Sequence, residues 1–389
     1  MNIKCFYLVG ILTIFLTETD GCNETFSKCF CGEMNYGGYH RNVLNCTNTG
    51  FKDPSVLQKL PDKIEVLIFT GNDIPELPWN LFGTTSNNSH LKIIDMSNNK
   101  IKGIRGKSYH RVSKVERLIL NHNEITISKE TNHHHPRLFS NFESLEELHL
   151  TDAFADNTPE DLAAGLHDIF MNSDLKKLRK LHLEQNEIIS FKDPRVFCDL
   201  TSLLDLHLGD NKQQHITFDL DCLPNLRFLD LEKNSINNLN YKDFEMLDRL
   251  PERGQNLTID LTNNPFVCGN KIEELYSWLH TTKVVVRNKY KLKCKNYNCT
   301  QEPVSLILDH HFKNGCSAQL KNKIKRNIVS ESSSHTVIFL SCALILSVCA
   351  LIYTNREPLN SSFLAVLRSL SRKIHYTTIG KSDAQEMDV

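Results

Sequence analysis

Leu178-Arg179-Lys180-Leu181-His182-Leu183-Glu184-Gln185-Asn186-Glu187-Ile188 is the stretch that decides the fold. It fits the spacing L-x-x-L-x-L-x-x-N-x-I. In a short extended segment successive residues face opposite ways, so Leu181 and Leu183 fall on one side and His182 on the other. One such unit cannot bury its own apolar side. It needs like units stacked against it, and the two ends of the stack must be sealed.

The chain supplies those units. First apolar positions recur at Ile64, Leu91, Val115, Leu145, Leu178, Leu203 and Leu226, and a degenerate eighth copy runs from Asn256 to Asn264. The asparagine recurs as Asn72, Asn99, Asn123, Asn186, Asn211, Asn234 and Asn264. Its amide can satisfy backbone groups in the turn after each strand, where no ladder partner exists. These copies define a leucine-rich repeat array over 64–264. The fold class is therefore α/β: a solenoid, or horseshoe, with a parallel sheet on the concave side and loops or helical turns on the convex side.

The fourth copy, LEELHLTDAF, has Ala153 where the asparagine belongs, and residues 153–177 interrupt the array. Thr158-Pro159-Glu160-Asp161 is a helix start, with proline early and acids in the first turn, and predicts a helix from about Pro159 to Met171. The third copy is extended by SKETNHHHPRLFSNF. Three adjacent histidines cannot easily face one ion, so His133, His134 and His135 read as a solvated loop.

With 389 residues, a net charge of −1 and 40% hydrophobic content, the chain can bury a large core and has no global attraction to nucleic acid. The N-terminus has one lysine, an apolar run from Cys5 to Leu16 and then small polar residues, which reads as a secretory signal peptide over 1–21. Cysteines cluster at both ends of the array, as suits an oxidising compartment. Cys22, Cys29, Cys31 and Cys46 mark an N-terminal cap over 22–63, and Cys268, Cys294, Cys299 and Cys316 mark a C-terminal cap over 265–316. Four cysteines allow three pairings. Cys198 and Cys222, on successive repeats, are either an inter-repeat disulfide or two buried thiols.

After a stalk at 317–335, Thr336 to Tyr353 is apolar and uncharged. As a helix it spans about 27 Å, enough to cross a bilayer. Flanking charges nearly balance, so the signal peptide and the cysteine caps set the orientation. Repeats lie outside and the tail 354–389 inside, as in a single-pass type I plasma-membrane protein. Asn23, Asn45, Asn87, Asn256 and Asn298 are glycosylation sequons on the outer side.

The outward strand position reads, copy by copy, Ile68, Asp95, Ile119, His149, His182, His207, Asp230 and Asp260. Strands about 4.8 Å apart would bring His149, His182 and His207 into one row on the concave face, with Asp230 beyond. Glu184 and Gln185 flank it. This row is the candidate ligand-binding surface, with affinity changing as the histidines charge near pH 6. Two of the rings could sterically reach one zinc ion, but an ordinary polar face without metal or cofactor is the expectation. Lys289, Lys291, Lys293 and Lys295 alternate, so a single strand would put them on one face, where they would attract heparan sulfate or simply protect an edge. In the tail, Phe363, Val366, Leu367, Leu370 and Ile374 have helical spacing among basic residues, which suits a helix on the inner leaflet. Met387-Asp388-Val389 is a candidate ligand for a cytoplasmic PDZ domain. No nucleophile motif, phosphate loop or metalloprotease helix is present, so the chain does not read as an enzyme.

Four features together resemble the trophoblast glycoprotein family of leucine-rich repeat membrane proteins, also described as Wnt-activated inhibitory factors. They are the two cysteine caps, the interrupted middle repeat with its Pro-Glu-Asp insertion, the Asn-Asn-Pro-Phe-Val-Cys opening of the second cap, and Asn355-Arg356 after the span with a tail ending in Asp388-Val389. The resemblance implies a surface protein that dampens Wnt/β-catenin signalling near the Wnt co-receptor and affects adhesion and motility. Its alternative is an adhesion or guidance receptor working through the concave face. Analogy with such caps also pairs Cys22 with Cys31, Cys29 with Cys46 and Cys268 with Cys294. Asn270 stands where these caps have a second cysteine, and Cys299 would take its place opposite Cys316.

Overall fold

Three residues of each repeat become strand, because leucines on both sides of the outward residue anchor the extended backbone in the core. In the computed structural model these strands are Val66–Ile68, Ile93–Asp95, Arg117–Ile119, Glu147–His149, Lys180–His182, Asp205–His207, Phe228–Asp230 and Thr258–Asp260, each parallel to the next. The structure describes residues 23–84, 88–127, 138–154, 157–171, 173–268, 270–296 and 299–303. At the N-terminal end an antiparallel hairpin, Phe30–Tyr36 with Tyr39–Asn45, joins the sheet along Val66–Ile68. At the other end Val285–Arg287 pairs with Thr258–Asp260, which completes an 11-stranded sheet. Behind it Leu148, Leu181, Leu206, Leu229 and Ile259 are fully buried, as are Leu150, Leu183, Leu208, Leu231 and Leu261.

The turn after each strand is held by the asparagines. Asn211 Oδ1 accepts from the backbone N–H of Asn186 (3.0 Å) and Ile188 (3.1 Å), while its amide donates to the carbonyls of Leu183 (2.9 Å) and Leu208 (3.0 Å). Asn72, Asn99, Asn123, Asn186, Asn234 and Asn264 repeat this link from copy to copy. The residue before each asparagine is left-handed: Gly71, Asn98, His122, Gln185, Asp210, Lys233 and Asn263 all have positive φ. The turn therefore costs backbone strain at most copies, and the buried amide bonds offset it.

The broken fourth copy is repaired in two ways. The carbonyls of Asp152 and Ala153 accept from Asn123 and Ile125, the two N–H groups an asparagine would otherwise take, and Asn157 ties down the next stretch, accepting from Ile127 N (3.0 Å) and donating to Ile125 O (2.9 Å). Directly after it, helix α1 spans Pro159–Phe170, with Met171 as its C-cap rather than its last residue. Thr158 caps it by accepting from Asp161 N. The helix buries Leu162, Leu166, Ile169 and Phe170. It meets the array at Gly165, where a Cβ would stand 2.5 Å from Ile127 Cδ1.

Two further helices close the C-terminal end. Helix α2, Tyr241–Glu252, starts at a capping box between Asn240 and Asp243, and helix α3, Asn270–Thr281, packs on it. Trp278 stacks on Phe244 at 5.1 Å and donates from Nε1 to Asp248 (2.9 Å). Cys29 is bonded to Cys46, Cys268 to Cys294, and Cys198 to Cys222, so the inter-repeat pair is a disulfide rather than two thiols. Cys31 is also disulfide-bonded.

The four-lysine row is not formed. Asn288 turns left-handed and starts a 3-10 turn at Lys289–Lys291, so only Lys293 and Lys295 share a strand, Lys293–Asn296. The case for a heparan sulfate face weakens accordingly. The signal peptide with Cys22, the loop histidines 133–135, Asn87, Asn298, the side chain of Cys299, Cys316, the span 336–353 and the tail with Met387-Asp388-Val389 lie outside the described residues. Among the described residues no helix is long and apolar enough to cross a membrane.

Candidate functional site

The strand register lines up Ile68, Asp95, Ile119, His149, His182, His207, Asp230, Asp260 and Arg287 across the concave face. Residues two positions earlier share that face. They run Val66, Ile93, Arg117, Glu147, Lys180, Asp205 and Phe228. The face divides in two. Towards the N-terminus it is apolar: Val43, Val66 and Ile93 are buried, with Tyr36 and Ile68 packed on them. On the hairpin beside them Phe30, Met34 and Tyr39 stay 51%, 37% and 67% exposed. From Arg117 onward ionisable groups predominate, with Ile119 and Phe228 among them.

At its centre three imidazoles stack like coins. His149 and His182 have ring centroids 4.2 Å apart and planes 8° from parallel, and His182 and His207 are 4.1 Å apart at 11°. Parallel strands at fixed spacing impose this stack. Phe228 ends it at 5.2 Å from His207, and the Arg287 guanidinium lies over that phenyl ring. Carboxylates line the stack. His182 Nδ1 lies 2.9 Å from Glu184 Oε1, and His207 Nδ1 lies 3.7 Å from the same oxygen and 3.9 Å from Asp230 Oδ2. Thr151 Oγ1 donates to Glu184 Oε2 at 2.8 Å. Gly209 has no side chain, which leaves room for Asp230 to lean over the neighbouring strand. Gln185 stands apart from this group. It occupies the left-handed turn position and donates to Asp210 (3.1 Å) at the rim.

Burial controls the charges here. It lowers the His149 imidazole, and it pushes His207 down to about 4, helped by the neighbouring His182. His207 is therefore neutral at pH 6, which removes the expected charge switch at that position, and burial moves His149 in the same direction. Burial also raises Asp230, to about 6, with Asp260 and Glu184 adding repulsion. Glu184 and Glu147 behave oppositely. Burial opposes their charge, yet hydrogen bonds from His182 to the first, and from His149 and Arg117 to the second, hold both carboxyls below their usual range.

His182, Glu184 and His207 offer ligand atoms that all lie within 4.8 Å of one another, the one such triple among the described residues. The sequence allows one zinc ion between two of the rings but leaves Glu184 out, because strand alternation alone does not show that this carboxylate turns back towards both rings. Arg117, Glu147, Lys180, Thr151, Phe228 and Arg287 were also missed as members of the face. The alternation two residues either side of the histidine row was the signal that could have found all but Arg287.

Comparison with known proteins agrees with this architecture. A family model described as Leucine rich repeat matches residues 176–236. Trophoblast glycoprotein of Macaca fascicularis is 26% identical over 281 residues, covering 68% of this chain and 61% of the relative. Toll-like receptor 5 of Homo sapiens is 27% identical over 233 residues, covering 59% of this chain but 23% of the receptor. The matched region thus spans less than two thirds of either relative. The crystal structure of human trophoblast glycoprotein (Wnt-activated inhibitory factor 1) superposes with a TM-score of 0.58 at 24% identity, covering 68% of this chain and 91% of that one. By repeat spacing, sheet and neighbours, the chain is a leucine-rich repeat solenoid similar in sequence and fold to trophoblast glycoprotein.

Proposed function

We propose that this chain is a single-pass cell-surface glycoprotein whose repeats bind an extracellular protein and inhibit Wnt/β-catenin signalling. The observation that supports it best is the two-part concave face: an apolar hairpin end with exposed Phe30, Met34 and Tyr39, continuous with a charged centre at Arg117, Glu147 and Lys180. Apolar anchors beside charged groups are what a specific protein interface requires. The pathway in this reading is taken from trophoblast glycoprotein, 26% identical to this chain, whose human counterpart is also named Wnt-activated inhibitory factor 1. The signal-peptide-like pattern at 1–21 and the apolar run 336–353 in the sequence support the single-pass topology. A PDZ-type contact at Met387-Asp388-Val389 would act on the other side of the membrane.

Full-length protein expressed in Wnt-reporter cells is expected to suppress reporter output at least threefold. Phe30→Ser with Tyr39→Ser should restore output while surface level is unchanged. Unsuppressed output with clustering of the expressing cells would replace this reading with the adhesion receptor.

A further inference from the structure

We propose that His182, Glu184 and His207 form a zinc-binding site in the middle of the concave face. Zinc takes imidazole nitrogen and carboxylate oxygen at about 2.0–2.2 Å in tetrahedral array, which sets two donors roughly 3.3–3.5 Å apart. The two distances to Glu184 Oε1, 2.9 Å from His182 Nδ1 and 3.7 Å from His207 Nδ1, bracket that value. The rings are 11° from parallel, so their lone pairs run side by side rather than converging. A turn of each ring about its soft terminal torsion brings both onto one ion.

The surroundings suit a cation. Thr151 Oγ1 holds Glu184 Oε2, which leaves Oε1 to face both nitrogens. Such outer contacts orient metal ligands and tune affinity. Asp230 Oδ2, 3.9 Å from His207 Nδ1, adds negative charge at the edge, and Asp260 follows on the next strand. Two nitrogens and one oxygen favour zinc over calcium or magnesium, which prefer oxygen shells. His182 and His207 sit on adjacent strands at fixed spacing, Glu184 lies two residues beyond His182, and all three are part-buried, so little ordering is needed on binding. The fourth position opens to the concave space, where water or a partner side chain would complete the shell. The site does not depend on which protein binds the face.

Zinc titrated into the purified full-length chain at pH 7.4, in competition with a chelating dye, is expected to show one tight equivalent. X-ray absorption should report a nitrogen and oxygen shell with imidazole scattering. His182→Asn with His207→Asn should weaken binding at least 100-fold, and Thr151→Val about tenfold. His149→Asn, in the same stack but outside the triple, should stay within threefold. Thermal unfolding checks that each variant is folded. If the double variant does not fold, Thr151→Val decides. No saturable equivalent, a shell containing sulfur, equal affinity in the folded variants, or a loss that follows replacement of His133–His135 instead would overturn the site.

Discussion

Arg117 on one repeat donates to Glu147 on the next, and Lys180, one repeat further, stands 3.6 Å from the same carboxylate. His149 completes the cage at 3.4 Å. Glu147 thus joins three successive strands through its two oxygens. Because its folded-state pKa is held below the ordinary value, the stabilisation is present above the unfolded pKa and is lost as pH falls through the folded one. Glu147→Gln should cost about 1–3 kcal/mol at pH 7, since it leaves half-buried Arg117 short of its partner. Urea melts at stepped pH should show the gap from wild type closing below about pH 4.

The Asn211 side chain makes five hydrogen bonds to the backbone of its own and the preceding copy. Asn211→Ala leaves two buried N–H groups without an acceptor and should destabilise by about 2–4 kcal/mol. Gln185→Ala, which removes an exposed rim contact, should change stability by less than about 0.5 kcal/mol in the same melts.

Gly165→Ala tests packing against propensity. Helix preference alone favours alanine by about 1 kcal/mol. The added methyl would press on Ile127 at 2.5 Å from Cδ1 and 2.8 Å from Cβ, so it must displace α1 or that side chain. A net loss of about 1–3 kcal/mol is expected by thermal unfolding. Pairing it with Ile127→Ala should recover part of the loss.

Cys198 and Cys222 close a loop with a sequence separation of 24 between adjacent repeats. Replacing both with serine should lower stability by about 2–4 kcal/mol, chiefly by freeing the unfolded chain. Intact mass under alkylation, with and without reductant, verifies the bond in wild type.

The repeats, the row of outward residues and α1 were legible because each rests on a short-range rule: strand alternation, the leucine spacing, and Thr158-Pro159 as a helix start. The opening of α2 obeys a rule too, through Asn240 and Asp243, but its proline at 251 and low apolar content hide it. The lysine row failed because one residue, Asn288, leaves the extended region and ends the alternation. The behaviour of His149 and His207 was not legible at all. It comes from burial between rings on neighbouring strands, and a sequence shows which groups share a face but not how much water they lose.

Asn157 has a consequence for how this array can vary in length. An asparagine four residues out of register, carried by the insertion, bonds both Ile125 and Ile127 beyond the turn where backbone carbonyls stand in for the side chain Ala153 lacks. The insertion is thus a structural part of the repeat it interrupts. Trimming 153–177 to restore a regular period would remove the side chain that bonds both Ile125 and Ile127, together with helix α1. Gain or loss of residues at this copy is therefore expected only as a coupled event, with the out-of-register asparagine and the helix kept or lost as one block.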